Sequence, residues 1–314
     1  MSLIEKAAQR LDMLKQAAGE QPTVPEPAAP APKSADPVRA HSVEAESQSS
    51  FVPRRDAHAA HAVMSRTAQI DLAHLAKVGM VTPDRPRSAI AEEYRVIKRP
   101  LLRNATAVGP AQIDDGNLIM VSSALPSEGK TFCAINLAIS MAMELDYTVL
   151  LVDADVSRPS VLNQLGLPPE RGLMDALAGD VTDLSDVLLR TNIEKLTLLP
   201  AGMPHARATE LLASEAMTQL LEQMSNRYPD RIIIFDSPPL LVTTESRVLA
   251  THMGQIVMVV EAERTTHSTV RQALATIENC PVKLMVLNKS RERGPGSYYG
   301  YGYGYGEDVR PEAA

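Results

Sequence analysis

Gly129, Lys130 and Thr131 close an eight-residue segment, ALPSEGKT (124–131), between an apolar run and a helical one. A loop in this setting can turn several backbone N–H groups onto a phosphate and open on a helix N-terminus, whose dipole favours negative charge. The Lys130 ammonium is then placed for β- and γ-phosphates, and the Thr131 hydroxyl for Mg²⁺. Ala124 stands where the usual pattern has its first glycine, so φ there must stay negative and the opening turn must differ. A chance Gly-Lys-Thr at a helix cap is the plain alternative. The strand-like run before the loop and the helical run after it argue against that.

Two further segments end apolar runs in acids. LLVDAD carries Asp153 and Asp155, and IIIFD ends at Asp236. Strand alternation predicts that Asp153 and Asp155 point to one side. The C-terminal edge of an open α/β sheet is where ligands bind. Mg²⁺ takes one or two carboxylates with phosphate and water. Any one of these aspartates alone reads as a turn or cap residue. All three together, each following an apolar strand, predict a metal–nucleotide site with Lys130 and Thr131. Asn288-Lys289 lacks an aspartate two residues after the lysine, so the guanine-reading pattern is incomplete and ATP is favoured over GTP. Asn288 is placed either to hydrogen-bond adenine or to make a turn.

These residues need a scaffold, and the apolar pattern supplies one. Runs at 118–123, 148–155, 196–202, 231–239, 256–263 and 282–290 read as strands. Helical patterns fall at 129–145, 208–228, 244–252 and 268–279. The strands are continuously apolar rather than alternating, which predicts a mostly parallel sheet covered on both faces, an α/β P-loop fold. Upstream, SAIAEEYRVIKRPLLR (88–103) begins as a helix capped by Ser88 and should kink or end at Pro100. Residues 1–19 read as a short amphipathic helix with Ile4, Ala7, Leu11 and Leu14 on one face, docked on the protein or on a partner. Residues 20–66 read as a disordered Pro/Ala-rich linker, 67–290 as the P-loop domain, and 291–314 as a flexible tail.

The chain has 314 residues and a formal net charge of -7, which argues against a nucleic-acid partner. Two cysteines, Cys133 and Cys280, make no disulfide framework and have no metal-ligand spacing; a reduced cytoplasmic setting follows. No apolar run is long enough to span a bilayer, and the first residues have no signal-peptide core. Of 8 tyrosines, five cluster at Tyr298, Tyr299, Tyr301, Tyr303 and Tyr305, alternating with glycine away from any core signal. Such a chain is mobile enough to present its phenols to an enzyme site.

Together these motifs resemble the bacterial tyrosine kinases (BY-kinases) of the CpsD/CapB group. The residues concerned are SSALPSEGKT, LLVDADVSRP, IIIFDSPP, the tyrosine cluster and a Glu-Arg helix at Glu92, Arg95 and Lys98. The stretches NIEKLTLLPAG, RATELLASEAM and HMGQIVMVVEAERT narrow the likeness to the tyrosine autokinases of exosortase (PEP-CTERM) exopolysaccharide loci. The resemblance implies ATP and Mg²⁺ as cofactors and the five clustered tyrosines as phosphoacceptors. It assigns Lys130, Asp153, Asp155 and Asp236 to catalysis, with Asp153 as candidate base. Thr131, Asp155 and Asp236 would hold the metal, and Ser127, Glu128, Gly129, Lys130, Thr131, Phe132, Arg158 and Asn288 the nucleotide. Arg158 lies one place later than the family's usual arginine, which here is Ser157. The resemblance further implies a ring of subunits phosphorylating one another through the Glu92, Arg95 and Lys98 helix. It also implies a separate membrane polysaccharide co-polymerase adaptor, an opposing tyrosine phosphatase, and residence at the inner membrane through that adaptor.

The competing reading is a ParA/MinD-type ATPase switch of the same fold class. Those proteins carry a second lysine five residues before the loop lysine, where this chain has Leu125, and they lack a tyrosine-rich tail.

Overall fold

The structure, a computed structural model, describes residues 66–181, 183–227 and 230–291. The helix expected at 1–19, the linker expected from 20 apart from Arg66, and the 298–305 tyrosines lie outside the described residues. Eight strands form one sheet: β1 (Arg66–Ala68), β2 (Leu118–Ser123), β3 (Thr148–Asp153), β4 (Leu189–Thr191), β5 (Leu196–Leu199), β6 (Arg231–Asp236), β7 (Gln255–Glu261) and β8 (Val282–Asn288). Their order across the sheet is β1-β4-β5-β3-β6-β2-β7-β8. Every pairing is parallel except β4 with β5. The mostly parallel α/β sheet anticipated from the apolar runs is therefore present.

The three central strands are buried along almost their whole length, and alternation divides their side chains between two cores. Ile119, Val121, Val149, Leu151, Ile232 and Ile234 pack on one face. Leu118, Met120, Leu150, Val152, Ile233 and Phe235 pack on the other. This double burial fixes the strand ends, and hence the acids they carry, on a rigid platform.

The helices are α1 (Leu72–Lys77), α2 (Ala89–Ala105), α3 (Lys130–Ala142), α4 (Val161–Gln164), α5 (Leu173–Leu177), α6 (Ala208–Leu212), α7 (Glu215–Arg227), α8 (Glu245–Ala250) and α9 (His267–Ala275). Ser88 caps α2 as anticipated, its hydroxyl accepting from Ala91 N at 3.3 Å. Pro100 does not end that helix, which runs on to Ala105. A proline there removes the bond to the carbonyl of Val96, four residues earlier. Val96 is 73% exposed, so water can serve that carbonyl, while Leu101 and Leu102 beyond it are buried in the core. The helix expected over 208–228 is instead two, α6 and α7. Ser214 sits at the break, donating its hydroxyl to Leu211 O at 2.7 Å and accepting from Met217 N. A serine that bonds neighbouring backbone on both sides ends one helix and starts the next.

The short β1, β4 and α1 carry too few residues to show a period, and the sequence reading missed them. They are joined by Asn192, whose side chain accepts from Ile70 N at 2.8 Å and donates to Ile70 O at 3.0 Å. A second fixed point is the contact of Gly172 with the loop after β5. A Cβ at Gly172 would lie 1.9 Å from Pro200 O. Gly172→Ala is therefore expected to destabilise the protein by about 1–3 kcal/mol in denaturant unfolding, because backbone rather than a flexible side chain must give way. A wild-type midpoint for that variant would contradict the packing described here.

Both cysteines are buried thiols. Among the described residues no helix is long and apolar enough to cross a membrane.

Candidate nucleotide and metal site

The loop 124–129 leaves β2 between β6 and β7 and feeds straight into α3. Ala124 is buried and does not take a positive φ, as its side chain requires. The left-handed positions are instead Ser127 (φ 69) and Gly129 (φ 98). At Gly129 a side chain would be strained by φ, and its Cβ, 2.1 Å from Asn288 Nδ2, would push that amide off the loop.

Asn288 holds the loop from the end of β8, donating Nδ2 to Glu128 O at 2.9 Å. Lys289 Nζ donates to Ser127 O at 2.7 Å and pairs with Glu261 at 3.2 Å. The buried Glu128 carboxylate folds back, accepting from Leu125 N at 2.6 Å and from the Thr265 hydroxyl. The ends of β7 and β8 thus brace the loop at several points. Asn288 was read as either an adenine contact or a turn residue; here its amide nitrogen bonds the loop.

The acids meet as the strand ends foretold, with one difference of cause. Asp153 and Asp236 are in register on adjacent strands. Asp155 lies beyond the end of β3, in a turn where strand alternation no longer operates. It nevertheless faces the site, with Oδ2 2.7 Å from Lys130 Nζ. Lys130 Nζ is 3.8 Å from Asp236 Oδ1. Thr131 donates its hydroxyl to Asp236 Oδ2 at 2.6 Å. Asp153 organises the turn that follows it: Oδ2 accepts from Ser160 N and Val161 N, both at 3.0 Å, and Oδ1 from Asp155 N at 3.3 Å.

Burial and neighbouring charge shift the titration of Asp236, Asp153 and Lys130. Burial pushes Asp236 up to about 7, with the Asp153 and Asp155 charges adding to it and Lys130 and Thr131 opposing. Burial also pushes Asp153 up to about 6, the N–H groups of Val161 and Ser160 restraining the rise. For Lys130 burial alone would lower the pKa, but Asp236, Asp155 and Asp153 together hold it above its ordinary value.

The residues fit a divalent cation. Asp236 Oδ1 is buried and, among the described residues, accepts no hydrogen bond. Such an atom is costly unless something else completes it. Asp236, Asp155 and Thr131 offer hard oxygen donors, as Mg²⁺ prefers. No group of three or more acid, His or Cys side chains among the described residues makes a cage by itself. That is the arrangement expected where phosphate oxygens and water finish the shell.

The remaining anticipated residues divide by position. Phe132 is partly buried against the core at the start of α3. Arg158 is exposed, and its backbone N–H donates to Asp155 Oδ1 at 3.2 Å. Glu92 is exposed and Arg95 half-buried on α2; they pair with each other, Arg95 also reaching Pro86 O at 3.0 Å. Lys98 is buried instead, donating to Ser140 O and pairing with Glu144 at 2.8 Å, so it ties α2 to α3. Ser160, which the sequence reading did not single out, lies 2.8 Å from the Thr131 hydroxyl.

The sheet order, the phosphate loop between β2 and α3, and the acids at the ends of β3 and β6 define a P-loop nucleotide-binding protein. The chain belongs to the AAA domain family, whose sequence model matches residues 117–289, and it groups there with the bacterial tyrosine-kinase domains. It is 29% identical over 220 residues to the tyrosine-protein kinase YwqD of Bacillus subtilis, covering 68% of this chain and 88% of that one. Its structure resembles the kinase domain of the Escherichia coli tyrosine kinase ETK, with 28% identity, a TM-score of 0.60, and coverage of 76% of this chain and 88% of that domain. It also resembles the chimerical protein CapA2B2, at 26% identity and a TM-score of 0.59, covering 72% and 95% of the two chains. Some relatives are much longer. The chain spans 28% of the succinoglycan biosynthesis transport protein ExoP of Rhizobium meliloti, to which it is 31% identical over 227 residues, or 71% of this chain.

Proposed function

We propose that the protein is an ATP-dependent tyrosine autokinase that phosphorylates Tyr298, Tyr299, Tyr301, Tyr303 and Tyr305 in the service of exopolysaccharide synthesis or export. The observation that carries this reading is the pairing of a braced P-loop with the Lys130–Asp155–Asp236–Thr131 cluster, in a chain that holds five of its eight tyrosines in one glycine-spaced run. Kinase relatives of the same domain support it.

In this reading Lys130 and the backbone N–H groups of 127–131 hold the β- and γ-phosphates. Thr131, Asp155 and Asp236 hold Mg²⁺, which neutralises charge on the phosphate oxygens. A tyrosine phenol oxygen bonds to the γ-phosphorus, the bond from that phosphorus to the β–γ bridging oxygen breaks, and ADP leaves. The phenol proton passes to a carboxylate. Asp153 suits that task because burial raises its basicity toward neutrality, and its Oδ1 makes only one long hydrogen bond. Most of the work is positioning and charge neutralisation rather than covalent catalysis.

Transfer between copies fits the Glu92–Arg95 surface of α2, exposed at Glu92 and half-buried at Arg95, which would pack between protomers in a ring. The burial of Lys98 leaves that surface to Glu92 and Arg95. The likeness to ExoP supports the polysaccharide role, and that to CapA2B2 supports a separate membrane adaptor, which would bring the protein to the inner membrane. The exosortase locus rests on the stretches quoted from the sequence, and a tyrosine phosphatase would reset the tail.

Mapping modified residues by mass spectrometry after incubation with ATP and Mg²⁺ tests the reading. Phosphate on the 298–305 tyrosines is the expected result. ATP hydrolysis with every tyrosine unmodified would favour the ParA/MinD-type switch.

A further inference from the structure

We propose that Ser160 is a positioning residue for the metal ligand Thr131, its hydroxyl fixing the Thr131 oxygen in the orientation that a divalent cation needs. The inference rests on the magnesium–nucleotide reading above and adds a residue to it. Three observations carry it.

The first is position. Ser160 is the N-cap of α4, and a serine there ordinarily accepts a hydrogen bond from the second or third N–H of its helix. It makes no such cap bond. Its hydroxyl instead sits 2.8 Å from Thr131 Oγ1, 29 residues away in the chain.

The second is how it gets there. Asp153 accepts the backbone N–H groups of Ser160 and Val161, each at 3.0 Å. The turn is therefore anchored without the serine hydroxyl, which is left for another task.

The third is proton bookkeeping. Thr131 has a single hydroxyl hydrogen and two lone pairs. That hydrogen goes to Asp236 Oδ2, 2.6 Å away. Ser160 then donates into one lone pair of Thr131. Lys130 Nζ, 3.3 Å away, donates into the other, which would be freed for the cation once the ammonium turns to phosphate. From then on a Thr131 oxygen without Ser160 would keep its bond to Asp236 but lose the second point that sets the direction of its free lone pair. Outer partners of this kind hold metal ligands in place.

Manganese tests this, because its binding can be read by electron paramagnetic resonance without any phosphoryl transfer. Mn²⁺ is titrated into the full chain with saturating ADP, for wild type, Ser160→Ala and Ser160→Thr. Ser160→Ala is expected to bind Mn²⁺ roughly 10-fold more weakly, with ADP affinity in EDTA and the thermal midpoint unchanged. Ser160→Thr keeps the hydroxyl and is expected to restore most of the affinity. Wild-type Mn²⁺ affinity in Ser160→Ala overturns the inference, as does equal weakness of both variants, which would assign the effect to space rather than the hydroxyl. Failure of the wild type itself to bind Mn²⁺ with ADP would instead overturn the magnesium–nucleotide reading on which the inference stands.

Discussion

Lys130→Met abolishes tail phosphorylation, with a fall of roughly 100- to 1,000-fold or more expected in the initial rate of phosphotyrosine formation. The size of the effect follows from what the side chain does. Lys130 Nζ is, among the described residues, the ammonium set between the acids of the site, 2.7 Å from Asp155 and 3.8 Å from Asp236. The acids keep it protonated. On nucleotide binding the charge is placed to turn from carboxylate to phosphate, so methionine removes it where negative charge is greatest. The fold should survive, because the side chain, though largely buried, belongs to neither apolar core. Equal circular dichroism for the two proteins with lost transfer is the expected pair of results. Retained transfer would remove Lys130 from the mechanism.

Asp236→Asn carries the second large effect, and it runs in opposite directions for activity and stability. The substitution would remove a proposed metal ligand, and transfer should fall by roughly 100-fold or more, since a bound divalent cation supplies several kcal/mol of charge stabilisation. Without metal the same carboxylate is a burden. Its Oδ1 is buried and accepts no hydrogen bond among the described residues, and burial raises its pKa from 3.8 to about 7. Between those values the folded protein binds more protons here than the unfolded chain does. The stability from this group is thus fully present below pH 3.8 and is lost as pH rises through about 7. Metal-free wild type should lose on the order of a few kcal/mol across that window through this group. Asp236→Asn should show a correspondingly flatter profile in EDTA and exceed wild-type stability at pH 8. An unchanged slope in urea unfolding between pH 5 and pH 8 would show that the buried carboxylate is compensated.

Much of this site was legible before the structure because its residues lie at the ends of elements with strong patterns. Asp153 and Asp236 end runs buried along almost their whole length, and parallel strands bring their ends to one edge. Gly129-Lys130-Thr131 joins such a strand to a helix. What escaped the sequence is what only tertiary contact creates. Ser160 is one serine in a polar turn until Asp153 draws its backbone in and brings it to Thr131. Thr265 and Glu128 are 137 residues apart, with no local pattern linking them. The pairing of Lys98 with Glu144 turns inward a residue that the Glu-Arg helix pattern had placed at a subunit contact.

The fold shows the same division. The central strands were visible in their apolar runs, whereas β1 and β4, three residues each, show no period of their own and are held by neighbours and by Asn192. Pro100 was expected to act as it would in an isolated helix. Burial of Leu101 and Leu102 outweighs one lost backbone bond whose carbonyl faces water. The break at Ser214 lies in the other direction, where one short side chain bonding its own backbone interrupts a helical pattern that runs unbroken in sequence.

The central claim is that this site hands the γ-phosphate to tyrosine rather than to water. The most direct measurement is the ratio of phosphotyrosine formed to ADP released in the first turnovers after ATP and Mg²⁺ are added to dephosphorylated protein. The account predicts a ratio near one while unmodified tail tyrosines remain, and neither product in EDTA. Steady ADP release with no phosphotyrosine would contradict it and return the protein to the ATPase switches that share its fold.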